Sequence, residues 1–174
     1  MKNRKENTAA IHDLCEIALL TVLIQVSGLF RIPSIFPGGE FQLSAPIAVA
    51  ICGVFGFKKY IIAGVLASCI GLILGTNNLF NVLIAMTFRV GTGVVWLLLG
   101  SSKLFYIISG PIGTVAARAV LSAVVGKGFL AMTAAAAPGM VFTAATAWFF
   151  GRLFARCRAG ITGRKTAAAG AGTK

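Results

Sequence analysis

LFNVLIAMTFRVGTGVVWLLL, running from Leu79 to Leu99, is an apolar stretch with a charge, Arg89, at its middle. A helix rises about 1.5 Å per residue, so about 20 such residues match a hydrocarbon core of about 30 Å. A guanidinium at that depth is costly unless it faces a polar interior, a partner or a ligand. The next apolar segment, residues 105–125, repeats the pattern with Arg118. Two adjacent spans thus each place an arginine near mid-membrane in a chain with few acids, which points to something anionic binding between helices.

The rest of the composition agrees with a membrane setting. Of 174 residues, 57% are hydrophobic and 11% charged, and the mean hydropathy is +0.90, values of an integral membrane protein rather than of a soluble core. The net charge of +12 sits in short runs outside the apolar segments, not on a basic face interleaved with stacking aromatics, so nucleic acid is not the expected partner. Four scattered cysteines (Cys15, Cys52, Cys69, Cys157) and the single His12 form no zinc or disulfide framework, and they read as small buried hydrophobes. The start, MKNRKEN before an apolar run, has the outline of a signal peptide. Its hydrophobic stretch is too long for one and lacks a small-x-small cleavage site, so it reads as the first membrane helix.

In chain order, residues 1–8 form a polar cytosolic segment, and the first helix begins near Thr8 or Ala9 with Asp13 and Glu16 in its early turns, where the helix dipole favours acids. It ends near Phe30, with Gln25 and Ser27 at its far end. RIPSIFPGGEFQLS, residues 31–44, is a loop by its prolines and paired glycines, and its Ile35, Phe36 and Phe41 around Glu40 suit a loop folded over the helices. The second span, residues 45–57, is short, starts at Pro46 and ends at Phe57-Lys58-Lys59-Tyr60, where the lysines and tyrosine mark a membrane boundary. The third, residues 61–74, carries Ala63, Ala67, Gly71 and Gly75 as a small-residue ridge for a close neighbour, then turns at Gly75-Thr76-Asn77-Asn78. The fourth is the opening stretch. The fifth contains Gly110-Pro111, a site for a kink. The sixth, residues 132–155, has a ridge of Gly139, Thr143, Ala147 and Gly151, and residues 156–174 read as a disordered basic tail.

This gives an all-α fold of six transmembrane helices in one bundle, residues 9–155, whose orientation follows from its cations. With the N-terminus inside, Lys2, Arg4, Lys5, Lys58, Lys59, Lys103, Arg152, Arg156, Arg158, Arg164, Lys165 and Lys174 lie inside and only Arg31 and Lys127 outside. That asymmetry predicts cytosolic N and C termini, with the loops at 31–44, 75–79 and 126–131 facing outward.

On that topology Gln25, Glu40, Asn77, Asn78 and Asn81 fall at the outer side, with Arg89 and Arg118 below them. They define an expected pocket in the outer half, lidded by the first loop, with Phe36, Phe41 and Phe88 for an apolar body. Arginine's fork suits a carboxylate or a phosphate. The structural alternatives are arginines that tie helices through backbone carbonyls or pair with Glu40, and asparagines that cap a tight turn. Catalysis lacks its parts. There is no second histidine, no intramembrane carboxylate pair, no HExxH and no P-loop, so the chain is not expected to be an enzyme, to hold a metal or to need a cofactor.

The pattern of a lone six-helix protein with a short second helix, IPSIFPGGEFQLSAPIAVAICGVFGFKKYIIAGVLAS, and an NNLFN turn after the third helix resembles the substrate-binding S-component of an energy-coupling factor (ECF) type vitamin transporter. The resemblance covers about residues 9 to 155. It implies a multi-pass protein of a bacterial plasma membrane, surrounded by lipid, that captures a vitamin or precursor from outside. It also implies a transmembrane coupling subunit and two cytosolic ATPases that drive release inward by toppling of the binding subunit. The family's alanine pair four apart on the first helix is here Ala18 and Val22, a departure at the docking surface. The sequence thus supports an S-component for a small anionic vitamin or precursor, with Arg89 and Arg118 as anion partners, the amides as orienting groups and the first loop as a gate. The competing readings are a structural or assembly subunit of a membrane complex, whose arginines hold lipid headgroups or an acidic helix, and a self-sufficient small-solute transporter, for which the two halves show no repeat.

Overall fold

Breaks in the apolar sequence delimit six helices among the described residues: α1 (Lys2–Leu29), α2 (Ser44–Phe55), α3 (Phe57–Ile73), α4 (Leu79–Leu99), α5 (Lys103–Val125) and α6 (Phe129–Ala171). The structure is a computed structural model that describes residues 2–33, 40–126 and 128–171, and the side chains of residues 7, 10–30, 43–126 and 128–160. Gly56 alone separates α2 from α3. Its φ of 85° lies where a side chain would be strained, which lets the chain reverse in one residue. Gly126 ends α5 in the left-handed conformation, its N–H donating to Ser122 O at 2.9 Å.

The helices follow the sequence expectation in number and order and depart from it at their edges. α1 begins at Lys2, earlier than the apolar run, and α3 begins at Phe57, directly after the Gly56 reversal. α5 is a continuous helix across Gly110-Pro111. α6 continues past residue 155, through most of the stretch read as a tail, to Ala171. The stretch read as a loop, residues 31–44, contains a short antiparallel ribbon. β1 (Arg31–Pro33) pairs with β2 (Glu40–Gln42), Ile32 opposite Phe41, and Leu43 N donates to Phe30 O at 3.4 Å beyond it. Next to a membrane, backbone groups that leave a helix need partners, and the two arms of this excursion supply them to each other.

α1, α3, α4, α5 and α6 pack in that succession around α2, which touches all five. α1 and α6 are bridged by α2 and, at one end, by β2. The run from Pro46 to Gly53 is buried on every side, as a helix without a polar face must be. Close approach around it depends on small residues. Gly91 of α4 meets Gly113 of α5, Gly110 of α5 meets Thr143 of α6, and the Tyr106 ring fills the space beside Gly53 of α2 and Gly151 of α6. Of the expected ridges, Ala63, Ala67 and Gly71 on α3 and Thr143, Ala147 and Gly151 on α6 are buried; Gly139 is half-buried, and Gly75 lies beyond the end of α3 and is exposed.

Large apolar side chains cover the outside: Leu14 is 69% exposed, Leu98 78% and Leu130 80%. Water does not tolerate so extensive an apolar surface, and lipid does. Four segments, Ala10–Leu29, Leu79–Leu99, Lys103–Val125 and Phe129–Gly160, are long and apolar enough to cross a membrane, whereas α2, with 12 residues, and α3, with 17, are shorter. The chain is a membrane protein.

One end of the molecule is basic. There Lys59 pairs with Asp13 at 2.7 Å and with Glu16, tying α3 to α1, and these hydrogen bonds, to Asp13 first, hold the ammonium above its ordinary pKa. At the same end the last carbonyls of α2 are capped, Gly53 O by Ser101 Oγ at 2.6 Å and Val54 O by the Arg158 guanidinium, which also lies over the Phe55 ring.

Candidate functional site

Arg89 stands at the midpoint of α4 and is only 6% exposed. Its side chain crosses to α3. Nη1 donates to Ser68 Oγ at 2.8 Å and contacts Met86 Sδ at 3.6 Å, and the end of the side chain packs against Gly64, where a Cβ would overlap Nε. Gly64 therefore makes the space for the charge. Among the described side chains the acids are Asp13 and Glu16, both committed to Lys59, so no described carboxylate neutralises Arg89. A buried cation without a counter-ion among the described residues is the central electrostatic fact of this interior.

Neutral polar groups accompany it. Tyr60, one turn before Gly64 on α3, is fully buried, with Arg89 and Cys52 as its electrostatic neighbours and the Thr92 hydroxyl adjoining its own. The hydroxyl of Ser109 and the indole N–H of Trp96 are buried without a hydrogen-bond partner, and the Tyr60 and Thr92 hydroxyls lie near each other without closing a hydrogen bond of good geometry. This is not the habit of the chain. The hydroxyls of Thr21, Thr87, Thr114, Thr133 and Thr146 each donate to the carbonyl four residues back, the usual refuge of a threonine in lipid. Thr92 forgoes that bond on the same helix as Thr87. An unpaired buried hydroxyl costs about 1–3 kcal/mol, so the two of Tyr60 and Thr92 near a guanidinium mark a place furnished for a polar guest.

The sequence-derived candidates distribute as follows. Arg89 faces α3, while Arg118, half-buried on α5, has no hydrogen-bond or ion-pair partner among the described residues. At about 100° per residue Arg118 lies about 140° around α5 from Gly113, which touches α4, and about 80° from Gly110, which touches α6. The two arginines therefore address different neighbours, and the helices do not bring them into one cluster. Phe88 packs on Gly113 and fills the α4–α5 seam. Gln25 Nε2 donates to Thr76 Oγ1 at 3.2 Å, and Asn77 lies against Gly71 beside it, so these amides gather where α1 meets the end of α3. Asn78 caps α4, its side chain accepting from Asn81 N at 2.8 Å. Asn78→Ala is accordingly expected to lower stability by about 1 kcal/mol, read as a drop in thermal unfolding temperature in detergent, and Asn78→Ser to restore most of it. The side chains of Glu40 and Phe41, and residue Phe36, lie outside the described residues.

Tyr60, which the sequence places at a membrane boundary with Lys58 and Lys59, turns into the bundle interior and is fully buried. One residue further along a helix is about 100° of rotation, enough to move from the basic rim to the interior. The signal for it was available: Tyr60, Gly64 and Ser68 recur at four-residue spacing, a second stripe beside the Ala63-Ala67-Gly71 ridge. An open cavity of about 470 Å³ lies at the basic end instead, between Gly53, Ser101, Tyr106 and Arg158, away from the Arg89 cluster.

No family model matches the chain, and no solved structure matches it. A curated relative does. Protein BioX of Lysinibacillus sphaericus is 49% identical over 137 residues, which is 79% of this chain and 82% of that protein.

Proposed function

Since the chain belongs to the BioX family, we propose that it is the substrate-binding membrane subunit of an energy-coupling factor importer and captures an anionic, biotin-related compound. The observation that carries this reading is the Arg89 guanidinium, buried at mid-span without a carboxylate partner among the described residues and bordered by the unpaired hydroxyls of Tyr60 and Thr92. The name of the relative points to biotin, whose chemistry joins a carboxylate to an apolar chain and an uncharged polar ring. Such a molecule meets an arginine, an apolar wall and neutral hydrogen-bonding groups on suitable terms.

In this reading all six helices cross or enter the membrane, both termini and the basic end are cytosolic, and the paired strands β1 and β2 lie at the outer end. The chain makes and breaks no bonds of its own. A membrane coupling subunit with two ATPases supplies the energy, and α1 offers that partner an exposed face that includes Ala18 and Val22. The test is native mass spectrometry of the purified protein released from its micelle and then denatured. A stoichiometric water-soluble carboxylate is the expected result, together with ATP-dependent uptake of that compound by cells; only phospholipid in the released fraction would overturn the reading.

A further inference from the structure

We infer that the site reads a single negative charge: its ligand presents one carboxylate to Arg89 and only uncharged polar atoms to the hydroxyls around it. The inference rests on the reading of Arg89 as the anion's partner and narrows it, because a carboxylate, a dicarboxylate and a phosphate ester would all satisfy a pocket with two arginines.

The charge inventory of the interior carries it. Arg89 is the one charged residue among the described side chains that is buried. Lys58, Lys59, Lys103, Arg152, Arg156 and Arg158 belong to the basic end, and Lys59 is already taken by Asp13 and Glu16. Arg118 stands on another face of α5, turned away from the α4 side, with α3 and α4 between which Arg89 lies closed against it by Gly91 and Phe88. A planar guanidinium matches one carboxylate through two parallel hydrogen bonds. A second charge on the ligand would stay unneutralised at mid-membrane, where it is strongly disfavoured, and the nearby polar groups, Tyr60 and Thr92, are neutral hydroxyls that cannot offset it.

The experiment is equilibrium binding to the full chain in lipid nanodiscs with two matched sets of probes. The first is biotin, its uncharged methyl ester and α-carboxybiotin, which bears a second carboxylate beside the first; the second is octanoate and octanedioate. The expected result is binding of at least one monoanion, with the ester about 30-fold weaker than biotin and each dianion about tenfold or more weaker than its monoanion. A dianion that binds as tightly as its monoanion, or whose binding Arg118→Gln selectively weakens, overturns the single-charge inference and leaves the anion-binding reading standing. Equal binding of biotin and its ester, or no binding of any probe, overturns that underlying reading itself. The wild-type comparisons decide the matter even if the Arg118 variant does not fold.

Discussion

Arg89→Gln is expected to weaken ligand binding by about 100-fold or more while leaving the empty protein at least as stable as before. Removing one partner of a buried, hydrogen-bonded charge pair costs about 2–5 kcal/mol, and each 1.4 kcal/mol is about tenfold in affinity. Glutamine keeps much of the volume over Gly64 and can still reach toward Ser68, but it carries no charge. In the empty protein no described carboxylate compensates the guanidinium in its low-dielectric interior, so its loss relieves a strain rather than creating one. Affinity and thermal stability should then move in opposite directions. If Arg89 served instead to bind α3 to α4, both would fall together, and a titration beside an unfolding curve separates the two cases. Arg89→Lys, which keeps the charge and loses the planar fork, should fall between wild type and Gln in affinity.

Tyr60→Phe is expected to show the same opposition from the neutral side of the site. The ring remains to fill the fully buried space, and only an unpartnered hydroxyl is removed. Unfolding in detergent should therefore require about 1 kcal/mol more free energy, while affinity for the anionic ligand drops about tenfold. A fall in stability would mean that the hydroxyl has a structural partner and would remove Tyr60 from the site. The comparison with Thr87→Val is informative, because the Thr87 hydroxyl is already satisfied by Leu83 O and its removal should leave ligand affinity untouched.

Much of this architecture is legible in the sequence because membrane helices announce themselves by length and hydropathy. The 21 residues of α4 are the stretch that hydropathy alone marks out, and the continuous apolar run of α2 foretells a helix with no polar face. The ribbon at residues 31–42 is harder to see, since three residues per strand carry little pattern and its pairing answers to the environment rather than to propensity. Arg89 stood out because a charge in an apolar run needs a cause. Its surroundings did not, because they come from another helix. Ser68 and Tyr60 lie 21 and 29 positions earlier, and nothing local says that their stripe of α3 faces α4. Arg118 teaches the complementary lesson. Depth in the membrane is readable along one helix, but the direction a side chain takes around that helix is set by which neighbours arrive, here Gly91 and Phe88 on one flank and Thr143 on the other.

The position of α2 also bears on how the chain is made. It leaves the ribosome second, yet its most extensive packing is with α6, which leaves last. At 12 residues it spans about 18 Å, too little to hold itself across a bilayer. During synthesis it therefore waits beside α1 and α3, bound to the latter by a one-residue hinge at Gly56. The bundle closes only when the final helix arrives, so a chain truncated before residue 129 has every ingredient of the Arg89 cluster and no completed wall to keep it.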